Sequence, residues 1–272
     1  MIGIRREDKS EWESRVPLVP DDVRRLIDEQ GVRFCVQTSP IRAFRDEQYR
    51  AAGATLASDL RDCPIILGVK EIPVDRLEPG KTYVYFSHTI KAQPVNMPAL
   101  RRIVKLGCTL IDYERIVDDQ GRRLVFFGRY AGLAGMIDTL WALGRRLRHE
   151  GVENPFSRIQ PAHRYDDLGH FEREFAAVAD DVRANGLPSA VCPLVCGFAG
   201  YGQVSQGAQH IYDLLPVKEI APEELPALPA EANTCYKVVF REEHMVERGD
   251  SSQPFELQEY YQHPERYRAT FF

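Results

Sequence analysis

Up to Glu114 the apolar positions alternate between the two-residue period of a strand and the three-to-four-residue period of a helix. Gly3 to Arg6 reads as a strand. Val23, Leu26 and Ile27 form the apolar face of a following helix, which Asp21 or Asp22 can cap and Gly31 ends. Val32 to Gln37 is the next strand, Asp46 to Ala52 a short amphipathic helix, and Pro64 to Val69 an apolar strand. Thr82 to Phe86 follows. Met97, Leu100, Ile103, Val104 and Leu106 then share a helix face before Gly107 and the strand Cys108 to Ile111. Strands alternating with helices predict an α/β domain built on a parallel sheet.

This pattern puts Lys70 and Glu71, His88, and Asp112 and Glu114 at the C-terminal ends of three strands. In open α/β sheets those ends form the crevice where ligands bind. Taken singly, a Lys or Glu at a strand end is solvated surface and a lone His is structural; together on one edge they form a candidate site.

Beyond this edge, Asp118 to Gly121 is a turn and Arg122 to Phe127 a returning strand or hairpin arm. Gly128 to Met136 opens a long helix reaching about His149. Gly132 and Gly135 lower its helix propensity, which a close backbone approach can compensate; phosphate binding is the alternative reading of these glycines. Asn154 to Gly169 is a connection and Phe171 to Asn185 a helix. The apolar run Ala190 to Phe198 then leads into Gly200-Tyr201-Gly202-Gln203-Val204-Ser205-Gln206-Gly207-Ala208 and a helical pattern from Val204 to Leu215.

Strand, glycine turn and helix in that order can receive a pyrophosphate, because the first helix amides and the positive end of the helix dipole face the anion. Gly200, Gly202, Gln203, Val204, Ser205 and Gly207 are the candidate cofactor contacts. Ser205 stands where the usual fingerprint has Gly or Ala, and Gly207-Ala208 can supply the small surface for helix-on-strand packing. A glycine turn that binds nothing is the bland alternative. Val217 to Ile220 and Cys235 to Phe240 read as further strands, separated by an acidic, proline-spaced segment from Ala221 to Glu231. The tail from Phe255 to Phe272 is rich in Tyr and Phe.

The expected organisation is an N-terminal α/β domain over 1–153, a connecting segment and helix over 154–188, and a partial dinucleotide-binding domain over 189–272. Both domains are expected to be Rossmann-like with parallel sheets. Only about 70 residues follow the glycine turn, roughly half of what a six-stranded dinucleotide domain requires. Either the chain is a fragment, or the second domain is abbreviated or completed elsewhere, by a homo-oligomer or a partner chain.

Composition narrows the function without naming it. A chain of 272 residues with 44% hydrophobic and 28% charged residues fits two globular domains. A net charge of -5 gives no footprint for nucleic acid, and no apolar run is long enough to span a bilayer. The first residues lack the apolar core of a signal peptide, so the cytoplasm is the expected location. Six cysteines lie mostly in apolar runs and read as reduced core residues. No second Cys or His pair accompanies Cys192 and Cys196 at zinc spacing, so no metal is expected.

Several runs together resemble the alanine dehydrogenase, transhydrogenase and saccharopine dehydrogenase superfamily, and within it the lysine:2-oxoglutarate reductase portion of bifunctional lysine-degrading enzymes. They are Ile2 to Glu7, Arg15 to Leu18, Gly68 to Lys70, Phe86 to Gln93, Leu110 to Glu114, Phe127 to Met136, Pro161 to Tyr165, Gly200 to Ala208 and His263 to Tyr267. Phe86 to Gln93 is the most specific. The resemblance implies an N-terminal domain for the amino acid or oxo acid and a second domain for NADP(H) or NAD(H). It implies Arg15 as the residue that binds a substrate carboxylate, and Lys70 and His88 as the catalytic pair. Glu71, Lys91 and Glu114 are further candidates for substrate binding.

The chemistry implied is attack of a lysine ε-amine on the oxo carbon of 2-oxoglutarate, loss of water, and hydride reduction of the imine to saccharopine. An alanine dehydrogenase-like enzyme and a non-catalytic substrate-binding subunit completed by a partner are the alternatives.

Overall fold

Six short strands lie side by side and parallel in the computed structural model, which describes residues 1–250 and 253–270. They are β1 (Ile2–Ile4), β2 (Phe34–Gln37), β3 (Thr55–Ala57), β4 (Ile65–Leu67), β5 (Thr82–Tyr85) and β6 (Thr109–Asp112), in the order β3-β2-β1-β4-β5-β6. Phe271 and Phe272, which end the aromatic tail, lie outside the described residues. The chain divides into two compact units, Met1–Phe126 and Phe127–Phe272.

In the first unit the crossovers carry α1 (Pro20–Gln30), α2 (Asp46–Ala51) and α3 (Met97–Lys105). Alternation along each strand sends Ile4 and Val36 into one core with Val23 and Tyr49, and sends Cys35, Ile66 and Tyr83 into another with Ile103. A sheet buried on both faces leaves only its strand ends for function. Neither Asp21 nor Asp22 caps α1. Val19 is the N-cap without a side-chain bond, and Pro20 holds the first helical position, leaving both aspartates in the first turn. Gly31 closes the helix in the left-handed region at φ 63°.

The second unit begins with α4 (Gly128–His149), so the long helix expected with the first domain is part of the second unit's core. It continues through α5 (Leu168–Asn185), β7 (Leu194–Ala199), α6 (Gln203–Tyr212), β8 (Val217–Ile220) and β9 (Cys235–Phe240). It ends with α7 (Glu242–Met245), β10 (Val246–Arg248), α8 (Leu257–Gln262) and β11 (Tyr267–Ala269). β10 and β11 pair antiparallel.

The three parallel strands of the nucleotide-type sheet run β7-β9-β8, whereas a dinucleotide half would set β8 beside β7. Burial explains the order. β9 reads CYKVVF and is buried at five of its six positions, as a central parallel strand must be, while β8 exposes Lys218 and Glu219 as an edge does. The one charge on β9, Lys237, is held by Asp213 at 2.8 Å and Glu219 at 2.9 Å.

Two glycines set the packing of α4 on α6. A Cβ on Gly132 would stand 1.9 Å from the Val204 carbonyl oxygen, and one on Gly207 2.1 Å from that of Arg129. The compensation expected for the helix glycines is therefore real at Gly132. It is absent at Gly135, where a Cβ meets nothing within 4 Å. Gly144 makes the other close approach, to the Phe156 carbonyl at 2.4 Å.

Candidate functional site

The site begins with a buried carboxylate that the sequence reading did not single out. Glu7 lies just past β1, and its Oε1 and Oε2 accept the backbone N–H groups of Val69 at 2.8 Å and Lys70 at 3.0 Å. Those two bonds fix the chain where it leaves β4. Arg5 crosses β4 at Gly68, where a Cβ would come within 3.0 Å of Arg5 Cδ, and stands 3.6 Å from Glu7. Burial holds the Glu7 carboxyl above its usual range, outweighing the two N–H bonds and the charge of Arg5.

With the backbone fixed, Lys70 and Glu71 emerge beside the end of β5, where Phe86 N–H bonds to the Val69 carbonyl at 3.1 Å. His88 follows in the left-handed region at φ 53°, a conformation uncommon for a residue with a side chain. Three contacts hold it there. Its Nδ1 is 2.7 Å from Glu71 Oε1, its ring stacks on Phe86 at 6.4 Å between centroids, and its carbonyl accepts Asn96 Nδ2 at 3.4 Å. Lys9 Nζ approaches the other Glu71 oxygen at 3.6 Å. Burial opposes ionisation of Glu71, yet its own backbone N–H, His88 and Lys9 together hold the carboxyl below its usual range.

Arg15 is gripped by Glu13, Nε to Oε1 at 2.7 Å and Nη2 to Oε2 at 2.6 Å. The pair is mutually stabilising: the Arg15 hydrogen bonds hold Glu13 low, with a smaller contribution from the charge of Lys70, and the Glu13 bond raises Arg15. Arg15, Glu13 and Lys70 thus share one electrostatic neighbourhood. Among the described residues Lys70 Nζ forms no hydrogen bond or ion pair.

A second cluster stands at the end of β6. Asp112 Oδ2 accepts both the N–H and the hydroxyl of Ser87, and Oδ1 accepts Glu114 N–H at 2.8 Å. This carboxylate ties the segment before His88 to the segment carrying Glu114. The Oε1 of Glu114 lies 3.2 Å from Arg123 Nη1 and 3.7 Å from Lys91 Nζ, while Oε2 is buried with no hydrogen-bond partner among the described residues. Arg123 arrives on the expected hairpin, whose turn is held by Asp118 and whose arms bridge at Val117 and Arg123.

The structure therefore brings Glu71 and His88 together, sets Lys70 in the electrostatic neighbourhood of Glu13 and its partner Arg15, and joins Lys91 and Glu114. It adds Glu7, Glu13 and Arg123. Strand-end position could have found Glu7 and did find Asp112; only the fold reveals that Arg123 reaches Glu114.

The glycine turn belongs to the second unit. Gly200 takes φ 93° and Gly202 is the N-cap of α6, and a Cβ at either would meet nothing within 4 Å. Space is open at these two glycines, whereas the start of α4 lies close to the start of α6: a Cβ on Gly128 would stand 3.1 Å from Gln203 Cβ and 3.7 Å from the Val204 nitrogen. Gly207 differs. Its missing side chain serves contact with α4, which is helix-on-helix packing rather than the helix-on-strand packing expected. Among the described residues, no group of three or more His, Cys, Asp or Glu is placed to hold a metal, and no helix is long and apolar enough to cross a membrane. Burial pushes the thiols of Cys63 and Cys196 up to about 11 and that of Cys235 to about 12, as suits core cysteines.

A parallel sheet with ionisable groups gathered at its strand ends defines the first unit as an α/β domain. Residues 3–134 match the model of the family alanine dehydrogenase/PNT, N-terminal domain. Over its whole length the chain is similar to alpha-aminoadipic semialdehyde synthase, 38% identical to the Arabidopsis thaliana protein and 39% to the mitochondrial Bos taurus protein. It spans 27% and 29% of their respective lengths. The Neurospora crassa saccharopine dehydrogenase (NAD(+), L-lysine-forming) is 34% identical over 74% of this chain and 54% of its own length.

The fold is that of an L-alanine dehydrogenase structure, with a TM-score of 0.56 at 19% identity over 88% of this chain and 60% of that one. The transhydrogenase from Sinorhizobium meliloti gives 0.53 at 16% identity, over 86% and 63%. This chain corresponds to one region of these relatives.

Proposed function

We propose that this chain carries the amino-acid and oxo-acid site of an oxidoreductase that condenses L-lysine with 2-oxoglutarate and reduces the imine to saccharopine. The observation that supports it most is the placement of Lys70 beside the Glu71–His88 pair at the ends of neighbouring strands. Arg15 binds a substrate carboxylate through its planar fork. Lys70 accepts a proton from the incoming ammonium, leaving the amine free to attack the oxo carbon. Because Glu71 faces Nδ1 of His88, Nε2 is the ring atom that exchanges protons, and it delivers one to the oxygen that leaves as water. The unpartnered Oε2 of Glu114 offers a buried acceptor to a substrate ammonium, and Lys91 balances a second carboxylate.

NADP(H) or NAD(H), bound at Gly200 to Ser205, supplies the hydride. The cytoplasm is the proposed location, to be tested by fractionation since three relatives are named as mitochondrial.

Loss of nicotinamide absorbance with L-lysine and 2-oxoglutarate, measured with each nucleotide, tests this reading. Turnover with alanine or with pyruvate instead would favour the alanine dehydrogenase alternative. Turnover that appears only when a partner polypeptide is added would make this chain the substrate-binding subunit.

A further inference from the structure

Where Arg5 follows β1 and Gln37 closes β2, the first unit holds a cavity of about 340 Å³, inside the range of about 300–1,000 Å³ common to small-molecule sites. Lys70, Glu71 and His88 do not line it. Its apolar wall is Leu60, Ile66 and Ile72, all buried, with Tyr83 beside them. Two polar groups of the lining are buried and carry unused donors. The Arg5 side chain is only 6% exposed, and its Nη1 makes no hydrogen bond among the described residues, the Glu7 oxygen lying 3.6 Å away. The Tyr83 hydroxyl accepts Glu78 N–H at 2.7 Å, and among the described residues no acceptor takes its own proton. Burial holds that hydroxyl above its usual range and the charge of Arg5 opposes the shift, so both donors belong to one neighbourhood. Buried donors without acceptors are unfavourable, and a carboxylate supplies what both lack.

The charges around the cavity decide what else the ligand carries. Arg61 is held by Asp59 at 2.8 Å, Arg76 by Asp8 at 3.1 Å, and Glu78 by Lys81 at 2.9 Å. Arg5 itself donates to Asp8 at 2.7 Å. These pairs leave no net positive charge to draw in a bare acid. Asp75 also lines the cavity and forms no ion pair among the described residues, which leaves one carboxylate for a cation. Carboxylate, ammonium and apolar body together describe an amino acid. We infer that this cavity is a second ligand site of the first unit and takes an amino acid with an apolar side chain, its carboxylate at Arg5 and Tyr83, its ammonium at Asp75 and its side chain against Leu60, Ile66 and Ile72. The site stands whatever reaction Lys70 and His88 carry.

The test is calorimetric titration of the full chain with L-leucine, with isocaproate, which lacks the ammonium, and with isoamylamine, which lacks the carboxylate. L-leucine is expected to bind more tightly than either analogue. Asp75→Asn is expected to weaken L-leucine about fivefold, as for one exposed ion pair, and not to weaken isocaproate. Tyr83→Phe is expected to weaken L-leucine about tenfold, as for a buried hydrogen bond to a charged group. Asp75 is exposed, so its substitution leaves the core intact, whereas Tyr83→Phe also loses the bond from Glu78 N–H and is checked by thermal unfolding. No binding of L-leucine, isocaproate binding as tightly as L-leucine, or an L-leucine affinity unchanged in Asp75→Asn would each overturn the assignment. The titrations need no turnover, so a failure of the saccharopine reading leaves their result intact.

Discussion

Gly132 and Gly135 lie on the same helix, and the structure predicts opposite outcomes when each is replaced by alanine. A Cβ at position 132 would sit 1.9 Å from the Val204 carbonyl oxygen and 2.7 Å from the Ala208 nitrogen, both backbone atoms that cannot rotate away. Restoring an ordinary contact of about 3.5 Å requires α4 and α6 to part by roughly 1.5 Å at this point. Overpacking of this kind costs about 1–3 kcal/mol, and the gain in helix propensity returns up to about 1 kcal/mol. Separation also loosens Leu133 and Met136, which belong to the same core. Gly132→Ala should therefore destabilise the second unit by about 2 kcal/mol. At position 135 the space is open, and Gly135→Ala should stabilise by about 0.5–1 kcal/mol. Urea unfolding followed by Trp141, which packs on this core, reads both variants in a Trp12→Phe background. Equal stabilities for the two, or a more stable Gly132→Ala, would refute the close helix contact and with it the account of how the glycine turn is held.

Other consequences concern the site. Glu7→Gln can satisfy only one of the Val69 and Lys70 N–H groups and should cost about 1–3 kcal/mol at neutral pH, measured by denaturant unfolding. Since the folded-state pKa of Glu7 is raised, its stabilising contribution is complete below the usual carboxylate range and is lost as pH rises through the raised value; the Gln variant should lack that dependence. Glu71 has the opposite sign. Its lowered pKa stabilises the fold above the usual carboxylate range, and the contribution disappears as pH falls through the lowered value, so Glu71→Gln should flatten the acid side of a pH-stability curve. Lys237→Met should have a small effect or stabilise, because a buried lysine held by two carboxylates gives way to an apolar strand residue; a loss above about 3 kcal/mol in thermal unfolding would show that the ion pairs stabilise more than this accounting allows.

Much of the first unit was legible because each apolar period matched its element and each strand end carried something other than an apolar residue. Lys70, His88 and Glu114 could be named from position alone. β3 escaped because Thr55–Ala57 is three residues long, too short for alternation to register. Glu7 and Arg123 escaped for a different reason: their partners lie across the sheet and across a hairpin, and no local pattern encodes a contact between residues brought together by folding. In the second unit, the glycine spacing announced a tight turn but not which neighbour needed the missing side chains. Gly207 reads as part of a phosphate motif, yet its lack of a Cβ is used by α4. The order β7-β9-β8 follows from the apolar run of β9 once burial is considered.

The central claim is that Lys70 and His88 carry the proton transfers of saccharopine formation. Its most direct test is the rate of saccharopine appearance, followed by mass spectrometry with L-lysine, 2-oxoglutarate and reduced nicotinamide nucleotide, for the unsubstituted protein and for Lys70→Met and His88→Gln. General acid–base groups contribute about 10²- to 10⁴-fold, so each substitution should lower the rate by that order while Arg15-dependent binding of 2-oxoglutarate persists. Saccharopine formed at an undiminished rate by both variants would contradict the account.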